Sequence, residues 1–198
     1  MTAARTTQIA LPPKAAPFAI RAERASDVVA REALLDACFG ETRHQRTCQR
    51  LRDGRAPATG LALCAVREGK LVGSVRLWHV SAGGTPALVL GPLAVEPTGR
   101  KLGIGAALVN HALAAARARG HGAVILLGDA PYYTQFGFSD AKTRELSLPG
   151  AFERERLLAL ELRSGALDGA WGMIVPTGAA AAARPARARR TRLAPRAA

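Results

Sequence analysis

The sequence predicts one domain of the α/β or α+β class, a mixed sheet with helices on both faces. Three observations lead there. First, a nearly all-apolar run at 87–95, a helical stripe at about 104–119 and a second apolar run at 123–127 follow one another within about forty residues. That order is a βαβ unit, which requires parallel neighbouring strands and a right-handed crossover. Second, 61–67 and 71–79 read as strands joined by Glu68-Gly69-Lys70, a hairpin and therefore an antiparallel pair. Third, 198 residues, 48% apolar and 22% charged, make one domain with enough apolar side chain for a core.

The elements follow in order. Residues 1–17, rich in Ala, Thr and Pro, are expected to form a flexible leader. Phe18, Ile20 and Ala22 alternate as in a first strand. Ser26 and Asp27 offer an N-cap, followed by Val28, Val29, Ala33, Leu34 and Leu35 at helical spacing. Residues 43–52 read as a second, strongly basic helix ending near Asp53-Gly54. Beyond the hairpin, Ser81 to Pro86 is a turn into the strand 87–95, where Gly91-Pro92 should interrupt the ladder or splay the strand. In the next helix Leu108, Val109, Ala112, Leu113 and Ala116 form the apolar stripe, and Gly120 closes it. Residues 130–135 suit one helical turn, with short strands expected near 144–148, 157–163 and 171–175. The folded domain is expected over 18–178, and 179–198 as a disordered Ala/Arg/Pro tail.

Composition excludes several classes. Apolar runs are broken by charge well before 18 residues, so no membrane-spanning helix is expected. The N-terminus has no apolar signal-peptide core. Cys38, Cys48 and Cys64 have no metal or disulfide spacing and fit a reducing cytoplasm. The net charge is +13, but six arginines and no acid lie in the last twenty residues, and Arg5 and Lys14 lie in the first seventeen. The domain itself is left mildly basic. With aromatics at 5%, nucleic-acid association would run through the Arg-rich tail, not through a stacking platform.

The segment GRKLGIGA, 99–106, lies between a buried strand and a helix. Its backbone N–H groups can converge on an anion at the positive end of the helix dipole, with Arg100 and Lys101 adding charge. That suits a phosphate or pyrophosphate. It is neither a Walker A loop nor a full G-x-G-x-x-G fingerprint, and a tight strand-to-helix turn would use the same glycines.

R-x-x-G-x-G after a buried strand resembles the acetyl-CoA pyrophosphate loop of the GCN5-related N-acetyltransferase (GNAT) family. YYTQFGF, 132–138, looks like the family's Y-x-x-x-G-F pattern, and LGPLAVEP (90–97), GDAPYYTQFGF (128–138) and LPG (148–150) are together similar to its YhbS-like branch. The resemblance implies a mostly antiparallel sheet whose fourth and fifth strands, here 87–95 and 123–128, splay around acetyl-CoA. It implies that the backbone of Leu93, Ala94 and Val95 pairs with the pantetheine, and that Arg100, Lys101, Leu102, Gly103, Ile104, Gly105 and Ala106 cradle the pyrophosphate. Tyr133 matches the tyrosine assigned as general acid, while Tyr132, Phe136 and Phe138 fall to core or pocket wall. Candidate bases are Asp129, His79, Glu96 and Glu41; Asp129 is equally suited to cap the turn at 130–135, His79 to a packing role and Glu96 to its turn. His111 and His121 look solvated. Many members carry an asparagine where this chain has Gly128-Asp129. Acceptor specificity is implied to lie in about 27–52 and 139–160.

The resemblance thus implies transfer of an acetyl group from acetyl-CoA to a primary amine, a small molecule or a peptide, by direct attack in a ternary complex without a metal. The alternatives are an acyl-CoA sensor without turnover and a protein tethered to nucleic acid by its tail. A monomer and a homodimer fit the sequence equally.

Overall fold

A computed structural model describes residues 18–99 and 101–181. The expected leader, Arg100 and the tail from 182 onward lie outside the described residues. The strands are β1 (Ala19–Ala22), β2 (Ala62–Arg67), β3 (Lys70–Ala82), β4 (Thr85–Val95), β5 (Ala123–Leu127), β6 (Leu146–Ser147), β7 (Leu157–Glu161) and β8 (Gly172–Pro176). The helices are α1 (Val28–Phe39), α2 (Ile104–Ala118) and the single turn α3 (Ala130–Tyr133). The sheet runs β1-β2-β3-β4-β5-β7, with β8 added beside β3 and β6 beside β8. Pairing is antiparallel except for β4–β5, joined through α2, and the short β6–β8 pair.

The period-two alternation of the strands explains how the sheet is clad. Leu63 and Ala65 of β2, Val75 and Leu77 of β3, Leu88 and Leu90 of β4, and Val124 and Leu126 of β5 share one buried cluster with Ile104, Leu108, Val109, Ala112, Leu113 and Ala116 of α2. The expected α2 stripe is therefore its inner face. The helix closes as expected: the N–H of His121 donates to the Ala116 carbonyl at 3.1 Å and that of Gly120 to Arg117 at 2.9 Å, satisfying two end carbonyls. On the other face α1 lays Leu34 and Leu35 against Ala94. Beside it Leu51, Leu148 and Leu167 cover Trp78, Val80, Val89, Ile125 and Leu157.

The structure differs from expectation in four places. Residues 43–52 are not an α-helix; they lie in two 3-10 segments, Glu41–Gln45 and Thr47–Leu51. With Cys48 and Leu51 their only apolar residues they offer no stripe to bury, and a short helix without one is not self-sustaining. Val29 is 78% exposed; the inward position on α1 goes instead to Arg31, which is buried against Glu23. The turn expected over 81–86 tightens to Gly83-Gly84, because β3 and β4 pair as far as Ala82 and Thr85. Finally, residues 179–181, expected in the tail, pair with 54–56: the N–H of Ala56 donates to the Ala179 carbonyl at 2.8 Å and that of Ala181 to Gly54 at 2.9 Å.

Asp27 stands at the N-terminus of α1, where its carboxylate accepts hydrogen bonds from Arg21 (2.6 and 2.9 Å) and from the Arg24 N–H (2.7 Å). The Arg21 guanidinium holds its pKa down at about 2. A folded-state pKa below the unfolded one adds stability above about pH 4 that disappears as pH falls towards 2. Acid unfolding of the Asp27→Asn variant should therefore lose part of the wild-type slope in that window, as followed by circular dichroism.

Candidate active site

The site begins where two strands part. β4 and β5 pair only through Leu88–Val124 and Val89–Ile125. From there β4 continues to Val95 along β3 alone, and β5 to Leu127 along β7 alone. The divergence has a local cause. Between the Leu77–Leu90 and Val75–Leu93 pairs, Gly91-Pro92 stands opposite the single residue Arg76, a β-bulge that bends β4 away from its neighbour. Trp78 Nε1 fixes the bend by donating to the Gly91 carbonyl at 2.6 Å. Beyond the bulge, Leu93, Ala94 and Val95 have β3 on one side and no strand on the other. A ligand with amide groups could be received there as an added strand is.

At the end of β4 the chain makes a 3-10 turn, Pro97–Gly99, and enters α2. Lys101 and Gly103 both have positive φ, 75° and 73°. Gly103 stands at the N-cap position, and open space surrounds the place of a Cβ there, so it is the backbone that requires glycine. Lys101, Leu102 and Gly103 are exposed, whereas Ile104 is buried and anchors the turn in the core. The first helical bond that the described residues close runs from the Ala107 N–H to the Gly103 carbonyl, 2.9 Å. The N–H groups of Gly105 and Ala106 donate to no backbone carbonyl among the described residues. Such first-turn amides, at the positive end of the dipole, are donors for an anion. Gly105 lets Tyr132 approach: a Cβ there would stand 2.8 Å from the Tyr132 hydroxyl, which would have to shift.

The opposite lip is built by β5 and α3. The N–H groups of Tyr132 and Tyr133 donate to the Asp129 carbonyl at 3.0 and 3.1 Å, forming the single turn. Tyr133 packs its ring against Gly128, where a Cβ would stand only 2.4 Å away, and edge-on to Phe138 at 5.8 Å between centroids. Burial pushes its phenol up to about 12, with Tyr132 and Asp129 adding to the shift. Its hydroxyl donates to no described residue. Tyr132, expected in core or wall, is half-buried and reaches across to α2. Burial also raises its pKa.

The candidate bases separate. Asp129 is exposed beside Tyr133 at the end of β5; it holds the N-cap position of α3, but its side chain makes no capping bond. Glu96 is exposed at the end of β4, its N–H donating to the Val72 carbonyl at 2.9 Å, and lines a cavity of about 280 Å³ on the hairpin side. Glu41 is exposed in the first 3-10 segment. His79 is not brought to the site. It pairs with Leu88, at the other end of β4. Seven residues separate Leu88 from Val95, roughly 23 Å of strand at 3.3 Å per residue. His79 packs there against His121 with the rings tilted, centroids 5.3 Å apart, and His121 is half-buried where a solvated position was expected. Among the described residues no group of three His, Cys, Asp or Glu side chains is placed to hold a metal.

Residues 29–138 match the sequence profile of the acetyltransferase (GNAT) family. This chain belongs to the GNAT family. It is 29% identical over 157 residues to YhbS of Escherichia coli K12, described as an uncharacterised N-acetyltransferase, covering 78% of this chain and 93% of that one. The crystal structure of E. coli YhbS in complex with CoA superposes with a TM-score of 0.70 at 28% identity, over 85% of this chain and 94% of that chain. A GNAT family acetyltransferase from Brucella melitensis, in complex with acetyl-CoA, gives 0.56 at 27% identity over 73% and 87%. The splayed β4 and β5 and the turn into α2 are therefore parts of a GNAT fold, and no described helix is long and apolar enough to cross a membrane.

Proposed function

We propose that this protein is an acetyl-CoA-dependent N-acetyltransferase that passes the acetyl group directly to a primary amine while both substrates are bound. The observation that supports it most is the edge of β4 at Leu93–Val95, left without a strand partner by the bulge and leading straight to the α2 amides. In this reading the backbone of Leu93, Ala94 and Val95 holds the pantetheine. Lys101, Leu102, Gly103, Ile104, Gly105 and Ala106, with Arg100 from the sequence, hold the pyrophosphate. Acetyl-CoA supplies an activated thioester carbonyl. The amine nitrogen forms the new C–N bond, the C–S bond breaks, and the sulfur leaves with the electron pair.

Tyr133 serves that departure. With its pKa near 12 the phenol keeps its proton at neutral pH and so has a hydrogen to donate. A thiol has an ordinary pKa of about 8.5, so complete transfer from this phenol to the thiolate would be uphill by about 5 kcal/mol. Tyr133 therefore acts through a hydrogen bond to the leaving sulfur, and the proton that finally neutralises the thiolate originates on the attacking amine. A lysine-like amine, with a pKa of about 10.4, is about 4.6 kcal/mol from its neutral form at pH 7. Proximity is worth about 7–11 kcal/mol, so a weak base or water suffices. Asp129 is the carboxylate nearest Tyr133's end of the site.

Calorimetric titration tests this reading. Wild-type protein should bind acetyl-CoA at micromolar strength. Gly103→Val, which places a branched side chain at φ 73°, should weaken binding about tenfold or more by turning the first-turn amides. No binding at millimolar acetyl-CoA would refute it, and binding without thiol release across an amine panel would leave a sensor.

A further inference from the structure

We infer that the acceptor is an amine that also carries an anionic oxygen group, a carboxylate or a phosphate, and that Arg52 receives that group on the sheet face opposite α2. The inference rests on the acetyltransferase reading and specifies its second substrate.

Arg52 directly follows the 3-10 segment Thr47–Leu51. Leu51, the residue before it, is fully buried in the cluster of Trp78, Val89 and Ile125. One Nη of Arg52 lies 3.9 Å from where a Cβ of Gly91 would be, beside the bulge at which β4 leaves β5. Its Nε is buried and has no hydrogen-bond partner, the one such side-chain atom among the described residues. Burial lowers its pKa.

The rest of the fold treats its buried guanidiniums differently. Arg31 and Arg76 both pair with Glu23, and Arg43 with Glu32 and Asp36. Among the described residues Arg52 has no carboxylate within ion-pair distance; Asp53, its neighbour in sequence, accepts from Gln49 Nε2 at 2.6 Å instead. Arg52 is half-buried, with Nε taken out of water and left unpaired, which is unfavourable, and the planar donor fork of a guanidinium matches a carboxylate or a phosphate.

The place fits a substrate. Arg52 stands against the β4 lip of the gap. Arg156 stands against the β5 lip: its carbonyl accepts from the Gly128 N–H at 2.9 Å and its Nε approaches the Gly128 carbonyl at 3.5 Å. Gly128 is also the residue that Tyr133 covers. Cys48 packs against the same apolar cluster that buries Leu51. Arg156 is already paired with Glu153, at 3.6 Å and half-exposed, which leaves Arg52 as the unmatched charge. The loops above are tied together: Thr47 Oγ1 donates to the Ala151 carbonyl and Arg50 to that of Pro149, each at 2.5 Å. The first-turn amides of α2 lie beyond Val95, further along β4, so the anion facing Arg52 is distinct from the one at the helix.

The experiment measures thiol release from acetyl-CoA with amines matched except for the anion: 4-aminobutyrate against butylamine, and phosphoethanolamine against ethanolamine. The wild type should favour the anionic member of at least one pair by about tenfold or more in kcat/KM, and which pair responds separates carboxylate from phosphate. In Arg52→Met the preference should collapse through KM, while acetyl-CoA affinity holds. A second measurement needs no variant and no turnover. CoA-saturated wild-type protein, titrated with the product mimics N-acetyl-4-aminobutyrate and N-acetylphosphoethanolamine, should bind at least one of them and neither N-butylacetamide nor N-acetylethanolamine. Preference for neutral amines, a preference that survives Arg52→Met, or equal binding of charged and neutral mimics overturns the inference and leaves the acetyltransferase reading standing. Failure to bind acetyl-CoA overturns both.

Discussion

Tyr133→Phe should lower kcat about 10²-fold, the effect of removing one hydrogen-bond donor aimed at charge that appears only in the transition state. Steady-state kinetics with saturating acetyl-CoA and calorimetric binding of CoA test it together. Binding should change little, because the ring, which fills the space over Gly128 and against Phe138, is retained. A variant that keeps full turnover would remove Tyr133 from the chemistry. Gly128→Ala should give a similar or larger loss with the tyrosine intact, since the new methyl would stand 2.4 Å from the ring and displace it. The two variants thus separate the presence of the hydroxyl from its placement.

The largest stability effect should come from Leu108→Ala. Leu108 is fully buried at the centre of the face where α2 meets the sheet. Its side chain also lies close to Gly73 of β3, whose missing Cβ would stand 2.9 Å from a Leu108 methyl. Truncating a leucine in so closed a place loses transfer free energy and leaves a cavity, about 3–4 kcal/mol together. In a domain of this size that corresponds to about 8–12 °C in Tm. Thermal unfolding followed by circular dichroism checks it. A much smaller shift would mean that α2 can collapse into the space, and that its contact with the sheet is looser than the packing indicates. Acetyl-CoA should restore part of the lost Tm, because a ligand that binds only the folded state stabilises it by mass action.

Local pattern carried much of this protein. The apolar runs at 87–95 and 123–127, with the α2 stripe between them, specified the parallel β4–β5 pair and its crossover, since alternation and helical period are properties of neighbouring residues. Glycines at 103 and 105 and the tyrosine at 133 stand on the two lips of the candidate site. The basic stretch 43–52 misled for a reason equally local: its residue types tolerate a helix, but two apolar positions give a helix nothing to bury, and burial settles the matter.

Distance across the sheet was beyond the reach of pattern. Glu96 follows β4 directly and His79 lies inside β3, and only the register puts His79 at the far end of β4. Tyr132 meeting Gly105, and Arg52 lying unpaired beside Gly91, depend on chain segments some twenty-seven and thirty-nine residues apart meeting in space. Which faces are apolar, where the chain turns into α2 and which family this is were legible before any fold, because those follow from the order of residue types. How far β4 runs without a partner, which carboxylate lies near Tyr133 and which arginine is left without an anion emerged from the packed fold. Those depend on register and on the desolvation each side chain undergoes once its neighbours close around it.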